Sequence, residues 1–209
     1  MNRLIALATP GLFVLLLTST AQAQISVGLR GGLSYSELSG EQINTDSKTG
    51  FMAGVYAGIK ISNNWVILPE VSYIQKGAKV EGADIGTGAP LTVTTDIDYL
   101  ELLLPIGINL AVESESAQPR LYAGPTLGFA LSCEVKPDTD EPPSDCKDNI
   151  KSTDFGLVFG IGVELGSGPG AFLADLRYDY GIADINDTED DITNRNRSLQ
   201  LLIGYRRQF

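Results

Sequence analysis

Residues 25–36 alternate. Ile25, Val27, Leu29, Leu33 and Tyr35 fall on one side, and Ser26, Arg30, Ser34 and Ser36 on the other, with glycines at 28, 31 and 32. A period of two marks a strand with one apolar face. The rhythm returns seven more times and predicts strands near 25–37, 49–61, 65–76, 97–112, 119–131, 153–165, 170–180 and 196–209. Their connections alternate in length. Short ones fall at 62–64, 113–118 and 166–169, and long ones at 38–48, 77–96, 132–152 and 181–195.

The two faces differ in charge. The apolar face carries one charged residue, Arg207, two positions from the end. The opposite face carries Arg30, Lys60, Arg120, Arg177 and Arg206 together with Glu70, Glu101, Asp154, Glu164, Asp175 and Asp179. A charge facing lipid at mid-membrane costs roughly 2–4 kcal/mol, so the clean face predicts the lipid side and the charged face a lumen. The fold class expected is all-β, an eight-stranded antiparallel up-and-down transmembrane β-barrel. A soluble periplasmic lipocalin-like binding barrel, apolar inside and charged outside, is the alternative.

Three features favour the membrane. Tyr35, Phe51, Tyr73, Phe129, Phe155, Tyr178 and Tyr180 lie near one set of strand ends, and Trp65, Phe172, Tyr205 and Phe209 near the other, as two aromatic girdles. Glycines crowd the charged face, where small residues leave room for long side chains in a narrow lumen. The chain ends on Tyr205-Arg-Arg-Gln-Phe209, an ending suited to the outer-membrane assembly machinery. Pro69, Pro105 and Pro125 fall inside predicted strands, where bulges are expected to absorb their missing donors.

Residues 1–23 read as a secretory signal peptide, with basic Arg3, an apolar stretch and Ala21-Gln22-Ala23 before the cleavage point. Gln24 stands where a lipoprotein needs cysteine. One barrel domain is then expected over 24–209. Composition narrows the chemistry further. The formal charge of −11 argues against nucleic acid as partner. There is no histidine, which removes Ser-His and Cys-His nucleophile pairs and histidine zinc sites. An Asp175/Asp179 carboxylate dyad is the remaining catalytic idea, and pairing of these residues with cations is favoured over it, so no enzyme, cofactor or metal is expected.

The long connections hold most of the acidity. Asp184, Asp187, Glu189, Asp190 and Asp191 form the densest run. Oxygen clusters suit hard cations, yet the run lacks the order of an EF-hand loop, so a solvated acidic loop is favoured over a cation-binding one. Cys133 and Cys146 share one long connection and are expected to form a disulfide in an oxidising compartment. The lumen charges are expected to pair and close the barrel, with a narrow ion path lined by Arg30, Glu101, Arg120 and Arg177 as the alternative.

Several segments resemble the PorT-like outer-membrane β-barrel family of the Bacteroidetes type. They are GLRGGLSYS (28–36), GFMAGVYAGIKISNNWVILPEVSYIQKGAK (50–79), IDYLELLLPIGI (97–108), RLYAGPTLGFALS (120–132), TDFGLVFGIGVELG (153–166) and LRYDYGIADI (176–185). The resemblance implies an eight-stranded outer-membrane barrel. Some family members are linked to protein secretion across that membrane, and no set of catalytic residues comes with the family. The expected role is therefore structural or interactive at the cell surface. Long loops would face outward, toward lipopolysaccharide or a surface or secretion partner. A narrow porin or a secretion-apparatus component is the alternative.

Overall fold

The computed structural model describes residues 24–40, 45–83, 88–111, 116–139, 141–166, 168–188 and 193–209. The signal-peptide expectation for 1–23 lies outside them, as do Glu189, Asp190 and Asp191. The strands are β1 (Ile25–Ser39), β2 (Asp46–Lys60), β3 in two pieces (Trp65–Ile67 and Glu70–Ala83), β4 in two pieces (Pro90–Leu103 and Ile106–Asn109), β5 (Ala117–Pro137), β6 (Thr153–Leu165), β7 (Gly170–Gly181) and β8 (Arg195–Gln208). Each pairs antiparallel with the next, and β1 pairs with both β2 and β8. The β1–β8 ladder runs from Ser26↔Gln208 to Ser39↔Arg195, so the sheet closes into a barrel.

Parity along each strand decides which side chains meet solvent and which meet each other. Leu29, Leu33, Val55, Val71, Leu102, Leu121, Ile161, Leu201 and Ile203 all point outward and are exposed. Arg30, Glu70, Glu101, Asp175, Arg177 and Gln200 point inward and are buried. This is the reverse of a lipocalin. An apolar belt of this extent is unfavourable in water and favourable in lipid. Aromatic side chains edge the belt. Phe51 and Tyr73 pack with ring centroids 5.4 Å apart at one rim, and Phe172 and Tyr205 meet edge-on at 5.4 Å at the other. Trp65 and Phe209 are exposed at that second rim.

The prolines are absorbed without the expected bulges. Registers run unbroken past them: Tyr56↔Glu70 continues as Ile59↔Ile67, and Leu103↔Thr126 continues as Ile106↔Ala123. The ladder opens only locally. Ala57 N–H donates to the Pro69 carbonyl (2.9 Å), Leu68 N–H to Pro105 (2.9 Å) and Leu104 N–H to Pro125 (3.1 Å). Each proline thus keeps the acceptor half of an antiparallel hydrogen-bonded pair and lacks the donor half. The two register shifts lie elsewhere, between Ser47 and Met52 and between Asp98 and Tyr99.

The span 77–96, expected as a loop, is largely a hairpin. Gly77↔Asp96 through Ala83↔Pro90 extend β3 and β4 beyond the aromatic rim, and β5 follows them to Pro137. The run Thr92-Val93-Thr94-Thr95 favours extended backbone, but beyond the belt both faces are wet and the apolar alternation fades.

Gly124 sits where the proline row draws the backbones together. A Cβ there would overlap the Cα of Pro105. Gly124→Val is expected to lower barrel stability by about 1–3 kcal/mol. A urea titration of the refolded chain in lipid, read by heat-modifiable gel mobility, measures this.

Candidate functional site

The lumen brings together most of the sequence-predicted charges, in three tiers. At the short-turn end, Glu164 bridges two arginines. Arg120 Nη2 lies 2.5 Å from Glu164 Oε1, and Arg206 Nε 2.7 Å from Oε2. Arg120 Nε also donates to Asn109 Oδ1 (2.8 Å). Lys60 stands apart at the mouth, exposed, with its Nζ donating to Gln24 Oε1 (3.1 Å).

The middle tier crosses the barrel. Glu70 on β3 takes Arg30 from β1 and, at 3.1 Å, Arg177 Nη1 from β7. β3 and β7 are four strands apart in an eight-strand ring, so the Arg177–Glu70 pair spans the full lumen. Arg30 Nη1 reaches Asp175 Oδ2 at 3.5 Å, and Arg177 Nε donates to Gln200 Oε1 (2.7 Å). The Arg30 guanidinium also lies 4.7 Å from the centroid of the Tyr56 ring. Glycine makes room for such rings: a Cβ on Gly160 would run into the ring of Tyr122.

The third tier lies nearer the long-loop end. Lys76 on β3 contacts Glu101 Oε1 (2.6 Å) and crosses to Asp179 Oδ2 on β7 (2.6 Å), with Asp154 Oδ2 at 3.9 Å. Asn196 on β8 donates to Asp154 Oδ2 (2.8 Å) and to the Tyr99 hydroxyl on the facing β4 (3.0 Å). Asp175 and Asp179 therefore answer to different cations, Arg30 and Lys76, and do not face each other as a catalytic dyad.

Two buried cations escaped the sequence reading. Lys76 shares the inward parity of Glu70 but sat at the predicted strand end. Lys48 lay one residue before a predicted strand, and it pairs with Asp96. Tyr56, Tyr99 and Tyr122 are inward and buried too, and parity alone would have found them.

Above the third tier the interior turns apolar. Ile97 and Ile185 pack there with Cys133 and Cys146, which form a disulfide with Cα atoms 5.0 Å apart, and Met52, Ile74 and Leu202 carry the same cluster down among the charged tiers. The stapled loop folds over the mouth: Cys146 N–H bonds Cys133 O (3.0 Å), and Lys151 N–H bonds Ile185 O (2.8 Å).

The acidic loop beside this cap uses its first carboxylate to shape itself. Asp184 Oδ1 accepts the backbone N–H of Asn186 (3.1 Å) and of Asn194 (2.8 Å), and Lys151 Nζ lies 3.5 Å from Oδ2. Asp187 is exposed. Among the described residues, no group of three or more Asp, Glu, Cys or His side chains is arranged to hold a metal ion. Slight desolvation pushes the Asp184 carboxyl up, but the N–H groups of Asn194 and Asn186, aided by Lys151, outweigh it and hold it below its ordinary value.

The family model described as outer membrane protein beta-barrel domain matches residues 20–187. No curated protein sequence matches the chain. Among solved structures, the chain is similar to Neisserial surface protein A, with 21% identity, a TM-score of 0.54, and coverage of 88% of this chain and 97% of that one. It is also similar to a major outer membrane protein from Thermus thermophilus, with 15% identity, a TM-score of 0.56, and coverage of 90% and 99%. At such identities the likeness shows the fold.

The geometry of the tiers and of the acidic loop can each be tested. Glu70→Gln leaves Arg30 and Arg177 buried around a neutral amide, so unfolding in lipid is expected to become easier by about 3–5 kcal/mol, measured by urea titration. Asp184 has a folded pKa below its unfolded one, so its hold on the loop is present above the unfolded pKa and lost as pH falls through the folded one. The Asn194 amide resonance is expected to shift on acidification with a midpoint below the ordinary aspartate value. Asp184→Ala should give the same shift at neutral pH.

Proposed function

The chain belongs to the outer membrane protein beta-barrel domain family, and we propose that it serves as a sealed barrel with a structural or interactive role at the cell surface. The observation that carries this reading is the cross-lumen pair of Arg177 on β7 with Glu70 on β3, at 3.1 Å, with both side chains fully shielded from solvent. Lys76–Asp179 ties the same two walls one tier higher. Opening a path for solute requires both ties to break. Each break would leave charges in a low-dielectric space, with no room for the water that could replace the partner.

The working surface in this proposal is the long-loop end, turned outward. It carries the projecting β3–β4 hairpin, the disulfide-stapled loop and the acidic connection, and it would meet lipopolysaccharide or a surface partner. Phe209 would address the assembly machinery. The segments that resemble the PorT-like family point to a secretion apparatus as one source of that partner.

Reconstitution into planar bilayers tests the sealed barrel. The expected record shows no sustained unitary conductance for the wild type. Arg177→Ala should introduce flickering openings. Large, stable channels in the wild type would overturn the proposal and favour a narrow porin.

A further inference from the structure

The two ends of the lumen are finished differently. The long-loop end holds a cavity of about 240 Å³ lined mainly by apolar side chains and the disulfide, with no charged side chain among its described lining residues, whereas the short-turn end opens into a cavity of about 260 Å³ lined by charged and amide side chains. Lys60, Arg120 and Arg206 line it, with the amides of Gln24 and Gln118 beside them, and Glu164 is the one carboxylate among the described lining residues. The cavity thus holds a surplus of two positive charges in a chain whose net charge is −11.

The donors there are not used up. Arg206 gives its Nε to Glu164, while its Nη1 is shielded from solvent and has no hydrogen-bond partner. Lys60 Nζ donates to the neutral amide oxygen of Gln24, and an ammonium has three donors. Cations gathered in a concave, partly desolvated space repel one another, and an anion relieves that repulsion. A guanidinium presents a planar fork matched to a carboxylate or phosphate. Glu164 already shows the fit from within the chain, one oxygen to each arginine.

We propose that this cavity is a binding site for a small oxyanion, a carboxylate or phosphate group held between Arg206 and Lys60 above a floor made by Arg120 and Glu164. The middle tier of ion pairs closes the lumen behind it, so the anion is bound at this mouth and does not pass through.

The test uses the whole mature chain folded in lipid nanodiscs at low ionic strength. Inorganic phosphate and, separately, citrate are titrated while the Arg120 and Arg206 Nε–H resonances are followed. The expected result is a saturable shift with at least one anion. Phosphate alone saturating would assign the site to phosphate groups, and citrate alone to carboxylates. Lys60→Gln and Arg206→Gln should each weaken binding about tenfold, the loss of one charge-assisted contact. Lys151→Gln removes a positive charge at the other end of the barrel and should change nothing. Heat-modifiable mobility reports whether Arg206→Gln still folds. Lys60 is exposed at the mouth, so its variant decides the matter even if Arg206→Gln does not fold. Absence of saturation with both anions overturns the proposal. So does unchanged binding in Lys60→Gln, or an equal loss in Lys151→Gln.

Discussion

In an eight-stranded barrel the facing walls stand so close that a side chain on one strand meets a side chain four strands away. The rest of the structure depends on that distance. Arg177 meets Glu70, Lys76 meets Asp179, and Asn196 meets Tyr99, each across the lumen. In a wider barrel these groups would be hydrated and their pairing would contribute little. Here water is displaced, and a buried ion left alone is far more costly than a buried pair. Buried ion pairs are often worth no more to stability than an apolar filling of the same volume. They make one register and one closure much better than any other, because a one-residue slip would turn every lumen charge to lipid.

The wall carries its own constraint. Three prolines lie on neighbouring strands, and each accepts a hydrogen bond that it cannot return. In an open sheet they would be sent to an edge. A closed barrel has no edge, and the sheet tolerates them by opening β3 at Leu68–Pro69 and β4 at Leu104–Pro105 while the flanking register stays fixed. Gly124 makes the arrangement possible, since the strand carrying Pro125 must approach Pro105 without a side chain between them. The residue types and the ladder gaps therefore explain each other.

Much of this was legible in the sequence because a barrel wall has a strict period of two. Parity alone separates Arg30, Glu101 and Arg177 from Leu29, Leu102 and Leu176, and solvent exposure follows it. Partner choice was not legible. Whether Asp179 meets Arg177, two residues away, or Lys76, on the opposite wall, depends on how eight registers add around the ring. Lys76 and Lys48 were missed because their strands continue past the belt, where the alternation that marks a strand disappears. The apolar cap was hidden for a related reason. Ile185 belongs to a connection, and no periodicity reveals that its side chain turns back into the mouth.

The cap and the basic mouth also fit together as a matter of charge. The third tier sets three carboxylates against one lysine, while the first sets two arginines against one glutamate. The lumen is therefore polar along its axis, negative toward the long loops and positive toward the short turns. The negative tier lies beneath a mouth lined mainly by apolar side chains and the disulfide, and its own side chains are shielded from solvent. The positive tier borders a cavity, where its surplus charge can be met by solvent or by an anion. The Arg177–Glu70 tie stands between the two ends, so the chemistry at one can change without touching that at the other.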